Sequence, residues 1–156
     1  LFKRQISNEK RVTVTDLNMS RFMMTLTQAT ELTIEAMKES KGGETFVLKM
    51  PVISLKDLVS VIIEETCKKY HLNIEEIEIQ EIGLRPGEKL YEELMTIDES
   101  TYALELPNMF IIPSTLGEMH PYPGAHKATK GTYSSSNQAH ISKEAVRRLL
   151  KSEGHI

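Results

Sequence analysis

The chain has one cysteine and no long apolar run, and each shortage closes off a class of protein. A single Cys67 in 156 residues excludes an intramolecular disulfide framework and fits a reducing compartment. No stretch approaches the roughly 18 consecutive apolar residues of a helical membrane span, and no signal-peptide pattern opens the chain. A cytoplasmic protein without a membrane partner is therefore expected. The net charge is only −3, and the Lys and Arg residues are scattered among Asp and Glu. Without a basic stripe or aromatic-interleaved basic motif, a nucleic-acid partner is not expected. Gly-x-Gly-x-x-Gly and Walker-type loops are also missing, so no nucleotide cradle of those kinds is encoded. The five histidines fall at no metal-ligand spacing, and Cys67 has no partner; no metal is assigned. No tyrosine is followed four residues later by lysine, and Ser134-Ser135-Ser136 lacks a Gly-x-Ser-x-Gly frame. No catalytic residue is assigned.

What remains is an ordinary soluble composition, 40% hydrophobic and 26% charged, in a chain the length of one domain. Residues 1–8 read as the tail of a helix. The β-branched run Val12-Thr13-Val14-Thr15 reads as a strand, and residues 16–24 as a loop. Thr25 and Gln28 form a capping-box pattern. After it Leu26, Ala29, Leu32, Thr33, Ala36 and Met37 recur at helical spacing, up to a stop at Gly42-Gly43. Residues 44–50 read as a strand ended by Pro51. Ser54 and Asp57 cap a helix that buries Leu55, Leu58, Val59, Ile62, Ile63 and Thr66 and gives out near Tyr70. Cys67 beside that face reads as a small buried hydrophobe. Residues 77–82 alternate as a half-buried strand does. Residues 88–95 read as a short helix with Leu90 and Leu94 inward, and residues 102–112 as one or two strands broken at Pro107-Asn108. Residues 113–131 read as an irregular loop, followed by a last helix capped by Ser142. The alternation predicts an α/β fold, mixed α+β when taken as a separate piece, in a single domain spanning residues 1–156.

Two places carry chemistry. In Arg85-Pro86-Gly87-Glu88, proline and glycine make a turn. Arg85 stands at its mouth, where a planar guanidinium suits phosphate oxygens. Glu88 could cap backbone N–H groups or accept bonds from vicinal hydroxyls. The same four residues would equally make a plain strand-to-helix connection with an acid at the helix N-terminus. Arg21, among Met19, Phe22, Met23 and Met24, is either a buried charge in need of a partner or a surface arginine at a loop end.

Four segments resemble one family in the same order: Thr13-Val14-Thr15-Asp16, Met19-Ser20-Arg21-Phe22-Met23-Met24-Thr25, Phe46-Val47-Leu48-Lys49-Met50-Pro51, and the run from Gly83 through Arg85, Glu88 and Leu94. The tail Tyr133-Ser134-Ser135-Ser136-Asn137 fits as well. The family is the UDP-N-acetylglucosamine 4,6-dehydratases of polysaccharide biosynthesis, extended short-chain dehydrogenase/reductases. The resemblance implies a Rossmann domain that carries NAD(P) and the catalytic residues, and a C-terminal part that closes over the nucleotide-sugar. The chain resembles only that second part, with no cofactor of its own and no activity alone. Arg21 and Arg85 would then contact the UDP diphosphate, and Glu88 the ribose hydroxyls. Ser136 stands where an Asp is common, which leaves no role for that acid. A nucleotide-sugar 4-epimerase and a free-standing binding module stay open as alternatives. The strand at residues 44–50 resembles one that completes the Rossmann sheet. It is therefore expected to pair with another copy, in a homo-oligomer, or to lack order.

Overall fold

Local chemistry fixes most of the helices. In the computed structural model, which describes residues 1–114 and 120–156, the order is α1 (Phe2–Glu9), β1 (Arg11–Val14), β2 (Ser20–Phe22), α2 (Leu26–Glu39), β3 (Thr45–Leu48), β4 (Val52–Ser54) and α3 (Leu55–Tyr70). A short 3-10 turn (Ile74–Glu76) leads to β5 (Glu78–Glu81), β6 (Glu93–Met95), α4 (Ile97–Ser100), β7 (Leu104–Glu105), β8 (Met109–Ile112), β9 (His126–Lys127), β10 (Tyr133–Ser134) and α5 (Lys143–Ser152). The fold is mixed α/β, as the sequence predicts. The chain divides into two units that interleave along the sequence: residues 1–22, 52–92 and 139–156, and residues 23–51 and 93–138.

In the first unit α1 and α3 cover β1. Ile6, Val12, Val14, Val59, Ile63 and Cys67 form its core. Ser54 caps α3 by accepting a hydrogen bond from the Asp57 N–H, and α3 ends at Tyr70, both as read from the sequence. Cys67 is buried, and burial pushes its thiol pKa up. β1 pairs with β5 in parallel. The sequence expectation for β5 needs correction: all four of its residues are exposed. Only Ile77, just ahead of it, packs on the core. Ile79 is 42% exposed and Ile82 46% exposed, in a sheet of two strands. β2 and β4, too short to show a period, form an antiparallel pair; β2 lies in the stretch read as a loop and β4 between Pro51 and the cap of α3. Ser142 caps α5, which buries Val146 and Leu150. The polar side of α5 meets α3 through ions: Arg147 pairs with Glu64 at 2.7 Å and with Glu65, Lys143 pairs with Glu64, and Lys151 lies 3.3 Å from Glu65.

In the second unit β3, β8, β7 and β9 form an antiparallel sheet in that order. Its core gathers Leu106, Met109, Ile111 and Tyr122, with Ala36, Phe46 and Leu48 packed against them. The break at Pro107-Asn108 separates β7 from β8 as expected. β3 is ordered against β8 along four residues, which corrects the expectation that it finds no partner within the chain. It still stands at the end of the strand order. Thr25 and Gln28 make the reciprocal capping box, but α2 ends at Glu39, ahead of Gly42-Gly43. None of its side chains is fully buried; Leu26 is 78% and Met37 72% exposed. Helical spacing gave the helix correctly, and of the residues that carry it Ala36 packs against the core. Of the expected loop at 113–131, residues 115–119 lie outside the described residues, and the later part contains β9.

A cleft of about 550 Å³ in this unit is lined by Lys49, Glu105, Phe110 and Tyr133 among others. Its Lys49, Glu105 and Tyr133 side chains are already engaged. The Lys49 Nζ donates to Glu105 at 2.6 Å and to the Leu106 carbonyl at 2.8 Å, and lies 4.8 Å from the Phe110 ring centre. Tyr133, packed on Phe110, accepts from the Met50 N–H at 2.9 Å.

Candidate functional site

β5 hands the chain to the Arg-Pro-Gly-Glu turn through two further bonds to the β1 side. Ile82 N–H donates to the Val14 carbonyl (2.8 Å) and Gly83 N–H to the Thr15 carbonyl (3.1 Å). Four residues form the turn. Glu88 N–H donates to the Arg85 carbonyl at 3.0 Å, and the Glu88 carboxylate accepts from the Arg85 N–H at 3.2 Å. Gly87 has φ +88°, the left-handed value that a turn of this kind requires at its third position. Pro86 supplies the fixed φ before it. Backbone and carboxylate thus close one small ring, and the Arg85 side chain is exposed at its mouth.

The helix expected over residues 88–95 is absent. Residues 89–92 run along β2 and then enter β6. In a helix the carbonyls of Lys89 and Leu90 would accept from amides four residues on. Here they accept from Arg21: Nη2 reaches the Lys89 carbonyl at 2.8 Å and Nη1 the Leu90 carbonyl at 3.1 Å. The Ser20 N–H also donates to the Leu90 carbonyl at 3.1 Å. A guanidinium bond to a carbonyl is charge-assisted and stronger than an amide one, so the long-range partner wins over the local helix. Leu90 and Leu94 end exposed rather than inward.

Arg21 is thus nearer the first of its two readings, a shielded charge that has found partners. Its charge is half-buried and fully engaged, with the Ser20 carbonyl at 2.8 Å, the Met19 sulfur at 3.6 Å and a Glu92 oxygen 4.0 Å from Nε. Glu92, which sequence reasoning passed over, accepts from the Phe22 N–H at 2.9 Å. Its only sequence signal is a second acid four residues after Glu88 in Glu88-Lys89-Leu90-Tyr91-Glu92. The structure thus joins Arg85 and Glu88 in one turn and fastens Arg21 to the residue that follows it.

A carboxylate has about four lone-pair positions, and the internal bond from Arg85 occupies one on Glu88. The turn offers an exposed fork of donors and an acceptor side by side, the pairing that an anionic, hydroxyl-bearing ligand demands. No cradle for a dinucleotide is present among the described residues. Gly87 belongs to the turn just described and Gly83 lies two residues before it, and the glycine-rich strand-to-helix junction such a cradle needs does not occur among the described residues. Nor do three or more His, Cys, Asp or Glu residues gather as a metal centre among them. No helix described is long and apolar enough to cross a membrane.

Comparison with known proteins bears on the whole chain. A Methanocaldococcus jannaschii protein described as an uncharacterized membrane protein is 42% identical over all of this chain and 45% of its own length. A UDP-glucose 4-epimerase of Rickettsia felis is 30% identical over 96% of this chain and 43% of its own. Among solved structures, the X-ray structure of Pen from Bacillus thuringiensis superposes with a TM-score of 0.86 and 59% identity, over 99% of this chain and 45% of that one. The chain spans about half the length of these relatives. The family model described as "Polysaccharide biosynthesis protein" matches residues 1–114, and the chain belongs to that family.

Proposed function

We propose that this chain is the UDP-sugar-binding part of a nucleotide-sugar 4,6-dehydratase acting in surface polysaccharide synthesis. The Arg85 guanidinium meets the diphosphate and the Glu88 carboxylate accepts from the ribose hydroxyls, with Arg21 as the second cation at the foot of the turn. The observation that carries this is the exposed, hydrogen-bonded turn holding both side chains. Similarity over 96% of this chain, and 43% of the relative, to a protein named UDP-glucose 4-epimerase supports a nucleotide-sugar as the ligand class. The same name supports the second reading, a 4-epimerase.

In the intact enzyme NAD(P) supplies hydride chemistry at C4 of the sugar, ahead of loss of water across C5–C6. This chain's residues do not fit that cofactor and are given no step in it. Their share is position and charge: holding the diphosphate fixes the sugar's place, which is where much of a catalyst's advantage arises. The protein so read works in the cytoplasm on a soluble nucleotide-sugar, as a homo-oligomer.

A charge-assisted bond contributes about 1.5–3 kcal/mol, so Arg85→Ala in the intact protein is expected to weaken UDP binding by roughly 10- to 100-fold. Titration calorimetry measures it, and an unchanged dissociation constant overturns the role of Arg85. Incubation with UDP-N-acetylglucosamine separates the two readings: a 4-keto-6-deoxy product supports the dehydratase, and the C4 epimer alone supports the epimerase.

A further inference from the structure

The 550 Å³ cleft of the second unit has the size of a small-molecule site, and the function proposed above makes no use of it. Its floor is apolar, made by Phe110, Tyr133, Met95 and Met50. The two rings offer no face for stacking. They are only 8% and 6% exposed, they pack on each other with centres 5.1 Å apart, and the Lys49 Nζ stands 4.8 Å from the Phe110 ring centre. A nucleobase or other flat ring therefore finds no platform there. The open chemistry is on the walls. Lys49 is held by Glu105 and the Leu106 carbonyl, but Glu105 has capacity left: one oxygen accepts from Lys49, and the second has no donor among the described residues. Such an oxygen asks for hydroxyl or N–H donors and repels a bare anion. Lys130, exposed on the wall, has no ion-pair partner among the described residues.

Thr132 and Gln138 add smaller groups. The Thr132 hydroxyl oxygen accepts from Asn137 at 3.0 Å, which leaves its hydrogen to donate, and the Gln138 amide donates to Asn137 at 2.9 Å, which leaves its carbonyl oxygen to accept. The wall is also fastened from behind. Ala128 N–H donates to the Ala103 carbonyl and Gly131 N–H to the Ser100 hydroxyl, both at 3.0 Å, and Asn137 donates to the Thr132 carbonyl at 2.8 Å. Little ordering is left for a ligand to impose. Lys49, Lys130 and Glu105 together leave one net positive charge. We propose that this cleft binds a small anionic sugar: ring hydroxyls donate to Glu105 and meet Thr132 and Gln138, the C–H side of the ring rests on Met50, and the sugar's carboxylate or phosphate pairs with Lys130. The site stands apart from the UDP-sugar reading, which uses other residues.

The test titrates the intact protein with glucuronate, glucose 6-phosphate and neutral glucose, and reads binding by saturation-transfer NMR. One of the two acids is expected to bind at least about five-fold more tightly than glucose, the worth of an exposed ion pair, and which one binds identifies the acid group. Lys130→Met, at an exposed position, is expected to remove that preference. Glu105→Gln is expected to weaken the acid about ten-fold, through the lost charge-assisted bonds to hydroxyls. A merely adventitious anion would bind more tightly once that negative charge is gone. Saturating UDP is expected to leave the sugar in place. No transfer to either acid, glucose bound equally well, an affinity unmoved by Lys130→Met or raised by Glu105→Gln, or displacement by UDP overturns the proposal. If the protein does not bind UDP at all, the function proposed above fails, and the sugar titrations still decide this site.

Discussion

Arg147→Met removes the centre of the ion network between α3 and α5 while keeping most of the side-chain stem that packs there. The Arg147 side chain is 17% exposed and its partner Glu65 15%, so both are largely shielded. Glu144, the third partner at 3.0 Å, is 63% exposed, and that bond contributes little. Two charge-assisted bonds at about 1.5–3 kcal/mol each set the upper range. Lys143 and Lys151 remain beside the two carboxylates and water reaches Glu64, which brings the expected loss to about 2–3 kcal/mol. For a chain of this length each kcal/mol moves Tm by about 2–4 °C, so a drop of roughly 5–10 °C is expected by scanning calorimetry at pH 7. The pH dependence supplies a second arm. Lys143 above all, with Arg147, holds the Glu64 carboxyl below the usual range. At Glu65 burial pulls upward, and Arg147 and Lys151 outweigh it. Carboxylates with lowered folded-state pKa values stabilise above their unfolded value of 4.5 and lose that contribution as pH falls through the folded value. The gap between the original protein and Arg147→Met should therefore be full at pH 7 and narrow steadily below about pH 4.5. A Tm within about 1 °C of the original, or a gap that stays constant down to pH 3, would refute the argument and make the network a solvated surface feature.

Glu44 offers a separate acid-sensitive contact. Burial raises its carboxyl, but bonds from Ser40, Lys41 and Gly42 overcome this and hold the pKa down to about 2. Its contribution is present above about pH 4.5 and disappears as pH falls toward 2, so Glu44→Gln should flatten that part of the acid unfolding curve. In the turn, a Cβ on Gly87 would meet nothing within 4 Å. Gly87→Ala should then cost only backbone strain, about 1–2 kcal/mol, and weaken UDP binding by opening the turn. An unaltered affinity in titration calorimetry would argue against preorganisation there. Cys67, buried and with its pKa raised by burial, should resist iodoacetamide in the native protein and react at the rate of unfolding, which mass spectrometry can follow against urea concentration.

These residues also show which parts of the molecule are written locally. Thr25 with Gln28, Ser54 with Asp57 and Ser142 with Ala145 each complete a bond within three residues, and all three helix starts were legible. Pro107-Asn108 broke β7 from β8 for the same reason. The misreadings lie where a partner is distant. Leu90 and Leu94 have helical spacing, yet the carbonyls that would sustain a helix are taken by Arg21, 68 and 69 residues away. Residues 77–82 alternate as a half-buried strand does, yet Ile79 and Ile82 stay 42% and 46% exposed in a sheet of two strands. Pattern reports what a segment can bury and leaves open what stands opposite it.

The same distinction explains the candidate site. The chemistry of Arg85-Pro86-Gly87-Glu88 was visible because a turn needs only its own four residues. Its placement was not visible, because the exposed segment from Glu81 to Tyr91 borrows order at both ends. Ile82 and Gly83 are held by Val14 and Thr15 on one side, and Lys89 and Leu90 by Arg21 and Ser20 on the other. Between those fastenings lie only residues 84–88, most of them closed into the turn. A loop so short and so held can present an exposed guanidinium at a fixed place without burying it, which leaves the charge hydrated and ready for an anion. Arg21 and Arg85, alike in the sequence as two arginines near turns, thus stand in different surroundings: one donates to the backbone of residues 89 and 90, and the other is left exposed at the mouth of the turn.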